Sequence, residues 1–150
     1  MSTGYVMFRL GPRSFATSLD DILEIVRLQG LEPIPGAVPP LAGVLELRGV
    51  PLPVMDVRAA GSPTDEGDVL VMLIDDDPVG VAVDGVDAVL SPDDLPDAQA
   101  PAKVLPRYVI GVCQGPAGPV LLVDLLKLLD LGDRDPLAEL VRPSPASAQT

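Results

Sequence analysis

The sequence predicts an all-β protein, and three observations carry that prediction. Aromatic residues make up only 3% of the chain and tryptophan is absent, so the core must be built from valine, leucine, isoleucine and alanine, which suit pleated strands. Short apolar runs recur, each bounded by Gly, Pro, Asp or Ser. The chain also matches itself at a long offset, as a duplicated unit would.

In chain order the expected strands are Tyr5–Leu10, Phe15–Thr17, Leu23–Arg27, Val44–Leu47 and Leu52–Asp56, then Val69–Ile74, Val79–Val83, Val86–Leu90, Tyr108–Cys113 and Pro119–Val123. Such spacing suits barrels or a sandwich. Ser18 is placed to cap a single helical turn over residues 19–21. Asp124 precedes a leucine-rich run, 125–131, that reads as a short helix ending at Gly132. The proline-rich stretches 33–40, 59–67 and 91–107 read as loops, and Asp75-Asp-Asp77 before Pro78 as a solvated turn. Residues 134–150, rich in Pro, Ala, Ser and Gln, are expected to form a frayed tail, with a possible docked turn at 136–141.

Sliding the first part forward by 64 residues lays Phe15–Ile22 on Val79–Val86 and Asp20 on Asp84. After a slip, an offset of 68 lays Gly43-Val44 on Gly111-Val112, Pro51 on Pro119 and Asp56 on Asp124. Residues 1–133 are therefore expected to form one domain with halves at about 5–60 and 69–131. The mismatches are informative. Glu24 falls on Ala88 and Arg48 on Pro116, so neither charge is needed merely to close the fold.

Composition narrows the chemistry. The formal charge is −12, from ten basic and twenty-two acidic residues, which repels a phosphate backbone and excludes a nucleic-acid partner. Histidine is absent, which removes the commonest general base, the Ser-His and Cys-His pairs and most zinc sites. No apolar run approaches the ~20 residues that span a bilayer, and no signal peptide precedes Tyr5, so a cytoplasmic protein without direct membrane insertion is expected. The lone Cys113 lies in an apolar run and reads as core. Neither cofactor nor metal is called for.

The stretch Leu45–Asp56 concentrates unusual residues where a hairpin should turn. Gly49 supplies a positive φ, while Pro51 and Pro53 lack ladder donors and place the hairpin at an edge or rim. Arg48 then sits at the tip. It either ties the turn to Glu24 or Glu46, or it faces a partner; spacing alone leaves both open.

The segment Glu46-Leu-Arg-Gly-Val-Pro-Leu-Pro-Val-Met-Asp-Val-Arg58 resembles the pattern Asn-x-Arg-Gly-x-x-x-Pro-Val-x-Asp-Leu-Arg of the CheW-like family of chemotaxis coupling proteins. The likeness extends to Tyr5–Gly11, Ile22–Val26, Ile34–Gly36, Leu41–Gly43, Val79–Val86, Tyr108–Gly111 and Leu121–Leu125. It implies two intertwined five-stranded SH3-like β-barrels sharing a core, with a short C-terminal helix. It also implies a non-enzymatic adaptor at membrane-associated receptor arrays. The implied partners are the regulatory domain of a CheA-type histidine kinase and the cytoplasmic tip of methyl-accepting chemoreceptors.

By position, Ile22, Glu24, Gly43, Arg48 and Gly49 match receptor- or kinase-binding places. Glu46 departs from the pattern's Asn and is expected to share the Arg48 guanidinium or to select a complementary basic partner. Two other readings stand beside this one. A small-molecule or enzymatic barrel would use Arg48 as a carboxylate clamp with Asp56 or Asp84 as acid or base. A docking module of the same fold would serve a pathway other than motility.

Overall fold

The computed structural model describes residues 3–95, 99–100, 103–116 and 118–129. Eleven strands and one helix follow in order: β1 (Tyr5–Leu10), β2 (Arg13–Ser18), β3 (Glu24–Arg27), β4 (Glu32–Pro33), β5 (Leu41–Leu47), β6 (Val50–Asp56), β7 (Asp68–Ile74), β8 (Asp77–Val83), β9 (Gly85–Leu90), β10 (Val109–Gly115), β11 (Gly118–Val123) and α1 (Leu125–Leu129). Ser18 caps a 3-10 turn at Leu19–Asp21, its hydroxyl accepting from Asp20 N–H. Helix α1 starts after Asp124, whose carboxylate accepts from Lys127 N–H at 3.1 Å. The expected helix end at Gly132 and the tail lie outside the described residues.

Two sheets result, one in the order β10-β11-β2-β1-β9 and the other β3-β7-β8-β6-β5-β4. Each takes a hairpin from one part of the chain and its remaining strands from the other. Each hairpin meets the other part on both sides, antiparallel at β3–β7 and β1–β9 and parallel at β6–β8 (Val54↔Gly80) and β11–β2 (Leu122↔Ala16). Both offsets found in the sequence carry one set of pairs onto the other. Val26↔Val69 corresponds to Tyr5↔Leu90, and Glu46↔Pro51 to Gln114↔Pro119. The two parts therefore exchange strands about a pseudo-twofold.

Alternation explains the core. Leu70 and Met72 on β7, Val81 and Val83 on β8, Val6, Phe8 and Leu10 on β1 and Phe15 on β2 meet between the sheets, with Phe8 and Phe15 rings stacked at 5.8 Å. Their neighbours point the opposite way. Val69, Val71 and Ala82 join Leu28, Leu45, Leu52 and Val54 inside one barrel, while Ala16, Leu95, Cys113, Val120 and Leu122 fill the other. Each sheet thus has its own interior and shares its other face, the arrangement of two SH3-like barrels over a common core. Cys113 is buried, as expected, and burial pushes its thiol pKa up.

Two expectations need correction. One sheet carries a sixth strand beyond the expected five, because Glu32 and Pro33, the latter the first residue of the expected loop 33–40, pair with Val44 and Gly43. The corresponding place in the other sheet holds an isolated bridge, Gln99↔Val112. The proline-bearing β6 is also interior rather than an edge, lying between β8 and β5. Its ladder with β8 covers only Val54, Met55 and Asp56, so Pro51 and Pro53 precede that pairing and deprive it of no donor.

Candidate functional site

Leu47 and Val50 are the last paired residues of the β5–β6 hairpin, leaving a two-residue turn, Arg48-Gly49. Both turn residues have positive φ, 51° and 81°, the conformation whose twist matches flanking strands. Glycine adopts it freely. Arg48 adopts it despite its Cβ, and its side chain crosses to β3, where both terminal nitrogens donate to the two carboxylate oxygens of Glu24. The Nη1–Oε1 distance is 3.1 Å. The Arg48 side chain remains 69% exposed and that of Glu24 33%. The Arg48 hydrogen bond, reinforced by its charge, holds the Glu24 carboxyl below its ordinary pKa, while Glu24 raises that of Arg48.

An open groove of about 340 Å³ lies beside this pair, lined by Leu23, Leu47, Val50, Pro51, Leu52, Val71 and Pro78 as well as Glu24 and Arg48. Leu23 and Val50 are 56% and 55% exposed, a large apolar display for neighbouring side chains at a barrel end. Leu23 is held there by its N–H bonded to Val71 O at 2.7 Å.

Of the residues singled out from sequence, Glu24 and Arg48 line this groove, and Gly49 completes the turn that carries Arg48. Ile22 is half-buried and packs on the shared core. Gly43 is buried in β5, where a Cβ would come within 2.3 Å of Glu32 O, so its smallness admits β4. Glu46 is exposed and lines two adjoining grooves of about 440 and 450 Å³ with Gln29 and Gly30; among the described residues the Arg48 ion pair is with Glu24. Leu23, Val50, Pro51 and Pro78 were missed. The internal match held the signal, since Leu23 falls on Asp87, Leu47 on Gly115 and Val50 on Gly118, polar or small at every place.

The carboxylates that an enzymatic reading would need are engaged elsewhere. Asp56 binds the buried Arg58 through both oxygens, at 3.0 and 2.9 Å, and Arg58 also donates to Pro63 O and Glu66 O. Asp84 accepts from Gly11 N–H at 2.7 Å. Among the described residues no group of His, Cys, Asp or Glu is placed to hold a metal, and no helix is long and apolar enough to cross a membrane.

Comparison with known proteins agrees with this architecture. A family model described as the CheW-like domain matches residues 4–132. The chain is 25% identical over 148 residues to the chemotaxis protein CheW of Treponema pallidum (strain Nichols), covering 90% of this chain and 86% of that one. It is 30% identical over 104 residues to the chemotaxis protein CheW of Bacillus subtilis (strain 168), covering 66% and 67%. The crystal structure of the scaffolding protein TtCheW from Thermoanaerobacter tengcongensis superposes with a TM-score of 0.72 at 19% identity, over 90% of this chain and 97% of that one. On the strength of the match along 4–132, this strand-exchanged double barrel belongs to the CheW-like family of chemotaxis adaptors.

Proposed function

We propose that residues 1–133 act as one adaptor module that holds a CheA-type histidine kinase, through its regulatory domain, and the cytoplasmic tip of a chemoreceptor in fixed geometry. The coupling is contact alone; no bond is made or broken. The module works in the cytoplasm at membrane-associated receptor arrays. The observation that carries the reading is the Glu24–Arg48 pair beside an apolar groove, present on one half of a duplicated fold and replaced by Ala88 and Pro116 on the other.

A charge pair left at the surface contributes little to folding, whereas the same pair desolvated at an interface contributes much to binding. In this reading Arg48 and Glu24 shape the receptor contact, with Ile22, Gly43, Glu46 and Gly49 setting the backbone and flanks. Arg48→Ala and Glu24→Ala test it. Both should melt close to wild type, bind the receptor tip more weakly and retain kinase binding. A large drop in melting temperature, with receptor affinity unchanged for the folded fraction, would make Arg48 a strut.

A further inference from the structure

The groove has a second rim, across from Arg48. Because β6 and β8 run parallel, the turns that precede them lie at the same end of the sheet. Stepping back from Val54↔Gly80 sets Leu52 level with Pro78 and Pro51 level with Asp77. The turn before β8 is Asp75-Asp76, closed by the Ile74↔Asp77 pair, with φ of 51° and 70°. Asp75, Asp76 and Asp77 are all exposed, and among the described residues none has an ion-pair partner.

Nothing in the hairpin requires this charge. Asn or Gly serves a turn with two positive φ values equally well, and three adjacent carboxylates repel one another. The corresponding turn of the other half, Gly11-Pro12-Arg13, carries no acid. On the opposite rim, Glu24 already neutralises Arg48. Arg27 stands at the far end of its ladder, opposite Asp68. The groove therefore presents apolar side chains beside an uncompensated negative edge.

We infer that the groove takes a protein surface carrying an apolar side chain flanked by lysine or arginine, and that Asp75, Asp76 and Asp77 select it. The inference rests on the groove being a docking site, as proposed above. The apolar contact supplies affinity, and the acidic rim supplies orientation and speed of encounter.

Full-length Asp75→Asn/Asp76→Asn/Asp77→Asn, Asp77→Lys and Leu23→Ser variants, each checked by thermal melting, would be compared with wild type. Association with the kinase regulatory domain and the receptor tip would be followed by stopped flow at low salt and at ~0.5 M. Leu23→Ser should weaken binding of the receptor tip, the groove's occupant under the reading proposed above, and spare the kinase regulatory domain; loss of kinase binding alone would overturn the inference. The triple variant, whose asparagines tolerate positive φ, should associate with the receptor tip about tenfold more slowly at low salt, and the difference should vanish at high salt. Asp77→Lys should slow it as well. If Leu23→Ser acts while both charge variants associate at the wild-type rate, the acidic rim selects nothing and the inference fails. Should Leu23→Ser leave both partners unaffected, the groove itself is not a docking site. Self-association of wild type in sedimentation, lost in the triple variant, would make a second copy the occupant and overturn the inference.

Discussion

The two barrel ends are built from equivalent strands in equivalent register, yet they present different chemistry. At one end, two-residue turns carry Arg48-Gly49 and Asp75-Asp76, and Leu23 and Val50 lie open. At the other, the same places hold Pro116, Gly11-Pro12, Asp87 and Gly118. Pro116 cannot take the positive φ of Arg48, because its ring fixes φ near −65°. Proline at this place also lacks a long side chain of the kind Arg48 extends to β3. The scaffold occurs twice, whereas the charge pair and the exposed apolar side chains occur at one end, which separates them from what the fold itself needs.

Paired substitutions at equivalent positions can break or sharpen that separation. The largest difference is expected at Arg58, buried against Asp56 and two loop carbonyls, whose equivalent Leu126 is an exposed helix residue. Arg58→Ala removes the guanidinium from Asp56, which keeps only the backbone N–H of residue 58, and takes this donor from both carbonyls; it should cost about 3–5 kcal/mol in denaturant unfolding, against about 0.5 kcal/mol for Leu126→Ala. Equal losses would mean that loop 59–67 is not organised by Arg58.

A smaller difference is expected between Gly43→Ala and Gly111→Ala. The first new methyl would strike the Glu32 carbonyl at 2.3 Å, whereas the second would meet Leu122 Cδ2, Leu122 Cβ and Gln99 O at an ordinary 3.4, 3.5 and 3.6 Å. Losses of about 1–3 kcal/mol at Gly43 and under about 1 kcal/mol at Gly111 are expected from thermal unfolding. A tolerated Gly43→Ala would show that β4 is dispensable.

The smallest effect is electrostatic. Glu24 titrates below its ordinary range because of Arg48, so the pair's contribution is present above the unfolded carboxyl pKa and is lost as pH falls through the lowered folded one. In an NMR titration of the side-chain carboxyls, Arg48→Ala should return Glu24 upward to the ordinary range. An unmoved Glu24 would mean that the ion pair is not held in solution.

Much of this was legible in the sequence, for physical reasons. Runs such as Val69–Ile74 and Val79–Val83 are apolar on both faces because each faces a barrel interior and the shared core at once. The two-residue strand β4 was not legible, since Glu32-Pro33 has neither length nor periodicity and is held only by the gap left at Gly43. Arg58 read as one residue of a longer pattern; its burial depends on carbonyls delivered by Pro63 and Glu66, which no local signal announces. The candidate site divides the same way. Glu24 and Arg48 stood out by their absence from the second copy, whereas the acidic turn is brought to the same end of the sheet only by the parallel register of β6 and β8.

Strand exchange also governs how the molecule comes into being. Neither half can complete a sheet alone, since β2 must wait for β11 and β8 must find β6. Ser14 pairs with Val120, near the opposite end of the described chain, so loop closure precedes most of the reward and folding should be slow for a protein of this size. A chain cut within 59–67 would yield two fragments without structure of their own that restore the whole when mixed, each acting as the template for the other.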